Sequence, residues 1–290
     1  MIADIAAAIT QATGTAFLPG RQASLGGGCI NQAFKLTDGK QHYFVKSNNA
    51  ACLPMFEAEA AGLEEILATH SLRAPRPVCH GTSNGAAWLV LEYLELGGRG
   101  SGAQMGRQLA QMHRKTARQF GWKRDNTIGS TPQPNAWTES WIDFFRDQRL
   151  GQQLALAAQK GYGGGLQRKG ERLRAGLGAF FSAYQPAPSL LHGDLWGGNA
   201  GYTRSGEPVI FDPAVYYGDR EAGLAMTELF GGFGADFYAA YREAWPLDAG
   251  YGERKILYNL YHILNHAYLF GGGYVGQAQS MLDRLLAELG

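Results

Sequence analysis

No stretch of this 290-residue chain approaches the roughly 18 consecutive apolar residues that a membrane-crossing helix needs. The opening MIADIAAAIT has an acidic residue, no basic leader and too short an apolar run for a secretory signal, so no membrane partner is expected and the expected location is the cytoplasm. Cysteine is scarce. Three residues, Cys29, Cys52 and Cys79, stand at irregular spacings, which excludes a disulfide framework, supports no zinc site and suits reduced thiols. Charge is balanced, with 26 Lys and Arg against 25 Asp and Glu, and no run of five or six like charges occurs. Nothing in that balance calls for a nucleic-acid partner.

What is present is a globular composition, 45% hydrophobic, and long enough for one large domain or two lobes. The 41 glycines fall in clusters without a period, and so mark loops rather than repeats. Residues 3–12 read as a short helix. SLGGGCINQAFKL and HYFVKS alternate as strands do, and TDGKQ between them carries the Asp-Gly signal of a hairpin. Helical spacing over 55–68 stops at the prolines of RAPRPV, and AAWLVLEYLEL is an unbroken apolar run of strand type. The glycine-rich GGRGSG after it reads as a hinge. Helical patterns then dominate, with PVIFDP as the one clear strand among them. The expected fold class is α+β: an N-terminal lobe over 1–95, built on an antiparallel sheet with one main helix, and a larger, mostly helical lobe over 96–290.

Within LLHGDLWGGNAG, His192, Asp194 and Asn199 reproduce the H-x-D-x-x-x-x-N spacing of kinase catalytic loops. In that pattern the aspartate accepts the proton of the attacking hydroxyl and the asparagine binds magnesium. Phosphoryl transfer needs a positioned nucleophile and neutralised phosphate charge, so a free carboxylate and a hard oxygen ligand both have a use in one loop. Gly197 and Gly198 would let the backbone turn between them. Capping of turns by the same residues is the competing account. Asp212 ends the apolar VIFD, where a second metal-binding carboxylate is expected, so Asn199 and Asp212 are the candidate magnesium ligands. Upstream, Lys46 ends the YFVK strand as the phosphate-contacting lysine of kinases does, and Glu59 on the next helix fits as its ion-pair partner, with Glu57 the alternative. Gly27 and Gly28, in GGGCIN, stand where backbone amides could cover phosphates, although the segment is not G-x-G-x-x-G. By order along the chain, the backbone from Glu92 to Leu94 would hydrogen-bond adenine, with Val90 and Leu91 as apolar wall.

HGDLWGGN together with FDPAVYYGDRE, GGGCINQAF, FGWKRDNTIGSTPQPN and LYHILNHAYLFGGGY resembles the fructosamine kinase (ketosamine 3-kinase) family, over nearly the whole chain. That family is related to aminoglycoside and choline phosphotransferases. The resemblance implies a protein-kinase-like bilobal fold and ATP- and Mg²⁺-dependent phosphorylation of the sugar 3-hydroxyl of ketosamines, as a deglycation repair. It implies Asp194 as base, Asn199 and Asp212 as metal ligands, Lys46 as phosphate contact and Glu59 as its partner. No long activation segment and no A-P-E follow Asp212, and Gly193 replaces the arginine of H-R-D, which separates the chain from protein kinases. Trp196, two residues from the base, is a candidate floor for a sugar ring, and His266 and Tyr274 are candidates for the acceptor pocket. The resemblance further suggests Cys29 as a redox-sensitive position able to link two loops in a disulfide-bonded homodimer; otherwise a monomer is expected. A phosphotransferase for an aminoglycoside, choline or another alcohol, and a catalytically silent nucleotide-binding protein, are the alternatives.

Overall fold

The computed structural model describes residues 1–26 and 30–290, and the chain forms two compact units. The first comprises Met1–Ser101 and Asn199–Ala214, and the second Gly102–Gly198 and Val215–Gly290. Among the described residues no helix is long and apolar enough to cross a membrane.

The first unit opens with helix α1 (Ile2–Thr13) and continues through strands β1 (Arg21–Leu25), β2 (Gln32–Thr37) and β3 (His42–Asn49). Helix α2 (Leu53–Leu67) leads to β4 (Pro77–Ser83) and β5 (Ala86–Glu92). The five strands form one antiparallel sheet in the order β1-β2-β3-β5-β4. The Asp-Gly hairpin falls between β2 and β3 as expected: Asp38 Oδ1 accepts from the Lys40 and Gln41 amides at 2.8 and 2.7 Å, and Gly39 takes φ +96°, a conformation that favours glycine. Alternation then sorts the side chains. Phe34, Leu36, Tyr43, Val45, Trp88 and Val90 share one core with Ile5 and Ile9 of α1. The neighbours of Val45 and Val90 along their strands, Lys46 and Leu89, pair with each other and therefore stand on the opposite face. That face is where α2 brings its acidic residues.

Residues 199–214 join this unit as a short hairpin of β9 (Ala200–Tyr202) with β10 (Pro208–Ile210). Bridges tie it to the main body at Leu96↔Thr203 and Arg73↔Val209, and the Gly97 amide donates to the Tyr202 carbonyl at 3.1 Å. The glycines of GGRGSG serve this packing. A Cβ on Gly98 would stand 1.9 Å from the Thr203 carbonyl oxygen, and one on Gly100 would stand 2.1 Å from the Tyr202 ring.

The second unit is mostly helical: α3 (Gly102–His113), α4 (Trp141–Asp143), α5 (Gln152–Gln159), α6 (Gly165–Gly176), α7 (Arg220–Leu229), α8 (Ala235–Ala244), α9 (Tyr251–Phe270) and α10 (Gly273–Ala287). Helical spacing over AWTESWIDFFRDQRLGQQLALAAQ, 136–159, predicts a helix there, but helix begins only at Trp141 and between α4 and α5 the residues Phe144–Gly151 wind as a π-helix. Strands are also more numerous than PVIFDP alone suggests. β6 (Asn126–Ile128) pairs with β7 (Thr131–Gln133), and β8 (Ser189–Leu191) with β11 (Tyr216–Gly218), register Tyr216↔Leu191. Three residues are too few for a period-two pattern to register in a sequence. Buried α9 packs on α5, α7 and α10, and Asp219 caps α7 by accepting from the Glu221 amide at 3.0 Å.

Candidate active site

In the first unit the side chains expected to serve phosphate converge on one ammonium. Lys46, 6% exposed, lies on β3 opposite Ala33 of β2 and Leu89 of β5. Its Nζ donates to Glu59 Oε1 and to Asp212 Oδ1, each at 2.6 Å. Glu59, not Glu57, is therefore the α2 residue paired with Lys46. Burial works against the charged amine, but the carboxylates of Glu59 and Asp212 outweigh it and hold Lys46 above its ordinary pKa. Burial also pushes the Glu59 carboxyl up, with Lys46 pulling it back down. The direction that governs the cluster is that of the lysine, whose two contacts both favour its charge.

Asp212 stands just past β10 at φ +57°, an uncommon conformation for a residue with a side chain and one that aspartate tolerates better than most. The Phe211 amide beside it donates to the Asn199 carbonyl at 3.0 Å, which sets Asn199 and Asp212 side by side. Among the described residues no three His, Cys, Asp or Glu side chains gather into a self-contained metal site. Magnesium does not need one, because it takes one or two protein carboxylates and completes its shell with phosphate and water. Asn199 and the 49%-exposed Asp212 are a hard-oxygen donor pair of that kind, so the residues present fit the group.

Backbone at the expected adenine segment is partly committed. The Glu92 amide donates to the Arg76 carbonyl at 2.8 Å and its carboxylate accepts from Arg73, so the N–H of Glu92 is unavailable to a ligand. Leu94 lies beyond the strand, and Val90 and Leu91 are buried. Gly27, Gly28 and Cys29 lie outside the described residues.

In the second unit, β8 runs directly into the loop bearing Asp194. His192 is buried and its Nδ1 accepts from the Asp194 amide at 3.3 Å, which places its proton on Nε2. Gly193 takes φ +84°, so the position occupied by arginine in H-R-D here demands glycine. Gly197 and Gly198 do not have positive φ. The reason for glycine at 198 is space: a Cβ would stand 2.3 Å from the Trp196 indole. Trp196 is 39% exposed and continues into a chain of rings, Trp196–Phe230 at 6.2 Å between centres, Phe230–His266 at 4.8 Å and His266–Tyr274 at 5.1 Å. Phe270, 60% exposed, adjoins both His266 and Tyr274. The three candidate acceptor residues are thus joined, by way of Phe230. Neither Phe230 nor Phe270 was expected from sequence, where each reads as an apolar residue ahead of a glycine run. His266 Nδ1 bonds the His262 carbonyl at 2.8 Å, and burial lowers its pKa, which favours the neutral imidazole.

The chain has relatives. The fructosamine kinase family profile matches residues 1–288. A probable ketoamine kinase of Synechocystis sp. is 53% identical, the match covering 97% of this chain and 96% of that protein. The chloroplastic protein-ribulosamine 3-kinase of Arabidopsis thaliana is 45% identical, over 92% of this chain and 82% of that protein. A candidate fructosamine-3-kinase from Haemophilus somnus, solved by crystallography, superposes with a TM-score of 0.90 at 31% identity, covering 97% and 96% of the two chains. The aminoglycoside phosphotransferase APH(4)-Ia, at 14% identity and a TM-score of 0.68 over 98% of both chains, shares the fold alone. The observed class is accordingly the protein-kinase-like α+β fold of small-molecule phosphotransferases. A profile spanning almost every residue, with relatives matched over most of their length, leads to one assignment: the chain belongs to the fructosamine kinase family.

Proposed function

We propose that the chain is an ATP-dependent, cytoplasmic kinase that phosphorylates the sugar 3-hydroxyl of ketosamines, the fructosamine and ribulosamine adducts of amines and protein lysines, and so initiates their removal. The observation that carries this reading is the buried Lys46 ammonium held by Glu59 and Asp212 at 2.6 Å each. A cation fixed before the ligand arrives is what stabilisation of phosphate charge requires. The names of the relatives supply the acceptor class.

Lys46 donates to phosphate oxygens of the nucleotide, and Glu59 keeps the amine charged and aimed. Asn199 and Asp212 would hold Mg²⁺, which would supply positive charge against the phosphate oxygens. Asp194 accepts the proton of the sugar hydroxyl as the new O–P bond forms and the bond to the ADP oxygen breaks. Asn199 follows Asp194 by five positions, so the chain tethers base and metal ligand within roughly 17 Å of each other. The backbone of Leu94 would serve adenine, and a role of Gly27 and Gly28 toward the phosphates rests on the sequence alone. Trp196, with His266 and Tyr274, receives the acceptor.

The test is mass-spectrometric detection of ATP-dependent phosphate addition to fructosyl-lysine, ribulosyl-lysine and unglycated lysine. Addition to the glycated forms alone is the expected result. Transfer to aminoglycosides or choline in their place, or ATP·Mg²⁺ binding with no transfer to any acceptor, refutes it.

A further inference from the structure

Arg149 lies in the π-helical stretch and is fully buried, at 0% exposure. Its Nη1 donates to the carbonyls of Pro134 and Gln148 at 2.7 and 3.1 Å, its Nη2 to Asn135 Oδ1 at 2.7 Å, and its Nε has no partner. No carboxylate pairs with it among the described residues, whereas the buried Arg254 takes both Glu221 and Asp248. The guanidinium is instead sandwiched by rings, 4.5 Å from the centre of Phe144, 4.1 Å from Tyr216 and 5.7 Å from Tyr261. A buried charge with no counter-ion is costly to keep, and π-helical turns concentrate at functional sites.

What this cation touches leads toward Asp194 by two routes. Tyr216, stacked on the guanidinium, pairs across β11 and β8 with Leu191, the residue before His192 and three before Asp194. Asn135 donates onward to Asn126 Oδ1 at 2.9 Å, and Asn126 Nδ2 donates to the carbonyl of Val215, which precedes β11, at 2.8 Å. Both routes end on β11.

We propose that Arg149 is a positioning residue for the phosphoryl transfer proposed above, its planar guanidinium clamping β11 through Tyr216 and through the Asn135–Asn126 relay, so that β11 holds β8 and the Asp194 loop in place. Lysine is not equivalent here, because it keeps the charge but neither stacks as a plane nor spans the carbonyls and the amide as a fork.

The experiment compares Arg149→Lys with Asn126→Ala, which breaks the relay without touching the buried charge and serves should the lysine variant fail to fold. Amide hydrogen exchange across residues 189–194 and steady-state kinetics with ATP and fructosyl-lysine are read on protein shown by circular dichroism to be folded. The expected result is faster exchange over 189–194 and a kcat lowered by about 10- to 100-fold, the effect of misplacing a catalytic group by about 1 Å, with KM for ATP within twofold of the unaltered protein. A folded variant with unchanged kcat, or with reduced kcat but unchanged exchange over 189–194, overturns the inference. Should the unaltered protein phosphorylate no ketosamine, the proposed function fails, and the exchange measurement still decides whether the clamp exists.

Discussion

Replacing Lys46 by methionine isolates what the ammonium does for its two carboxylates. Glu59, with 11% of its side chain exposed, loses its partner and is left as a charge in low dielectric, whereas Asp212, 49% exposed, is resolvated at little cost. Breaking a buried pair from one side costs about 3–5 kcal/mol, a fall in melting temperature of roughly 6–20 °C for a protein of this size class. The double variant Lys46→Met with Glu59→Met removes both charges and recovers most of that stability, because an apolar pair of similar volume replaces the ion pair. Neither variant transfers phosphate. The penalty in the single variant also has a defined pH dependence. A lone buried Glu59 has a folded pKa above its unfolded value near 4.3, so its burial is tolerated below that value and becomes destabilising as pH rises through the folded pKa. Lys46→Met is therefore closer in stability to the unaltered protein at pH 5 than at pH 7. Urea unfolding followed by circular dichroism at both pH values, with ATP turnover measured in parallel, is the assay. A single variant as stable as the parent at pH 7, or a double variant that still turns over, refutes the reasoning.

Asp194→Ala abolishes transfer while leaving ATP·Mg²⁺ affinity largely intact, and Asp212→Ala weakens Mg²⁺-dependent nucleotide binding as well; calorimetric titration of ATP with and without Mg²⁺ separates the two. Acid stability is governed in part by His113 and His262, whose pKa values burial lowers to about 3. Both stay neutral in the fold and take up a proton on unfolding below the ordinary value near 6.5, so their contribution is complete above that pH and is lost as pH falls toward 3. Between pH 6.5 and 4.5 each removes roughly 2–3 kcal/mol, at about 1.4 kcal/mol per pH unit, and His262→Gln flattens the unfolding free energy measured against pH over that interval.

The residues that meet at Lys46 are legible in the sequence by type and spacing. Lys46 closing a strand, Glu59 on the following helix and Asp212 after VIFD meet within 2.6 Å contacts because alternation and helical period put each on a determined face. What stayed hidden depends on packing without a period. Phe230 and Phe270 link the acceptor candidates, yet each is locally one more aromatic residue ahead of glycines. The π-helical winding at 144–151 leaves the apolar spacing intact while moving Arg149 onto Tyr216. Gly193 is visible in the sequence as a departure from H-R-D, and only the backbone supplies the reason, a φ of +84°. For Gly198 the sequence suggests a backbone turn, whereas the structure shows a Cβ there meeting the Trp196 indole.

Because residues 199–214 complete the first unit, that unit is discontinuous along the chain. On the ribosome the β-sheet emerges early, but Lys46 has to wait for Asp212 until the whole stretch 102–198 has been made, roughly 5–20 s at 5–20 residues per second. Over that interval the nascent chain holds a lysine paired with Glu59 alone and an unmatched site for the β9–β10 hairpin. A fragment ending at residue 101 would be arrested permanently in that state, and supplying residues 199–214 as a separate peptide would complement it.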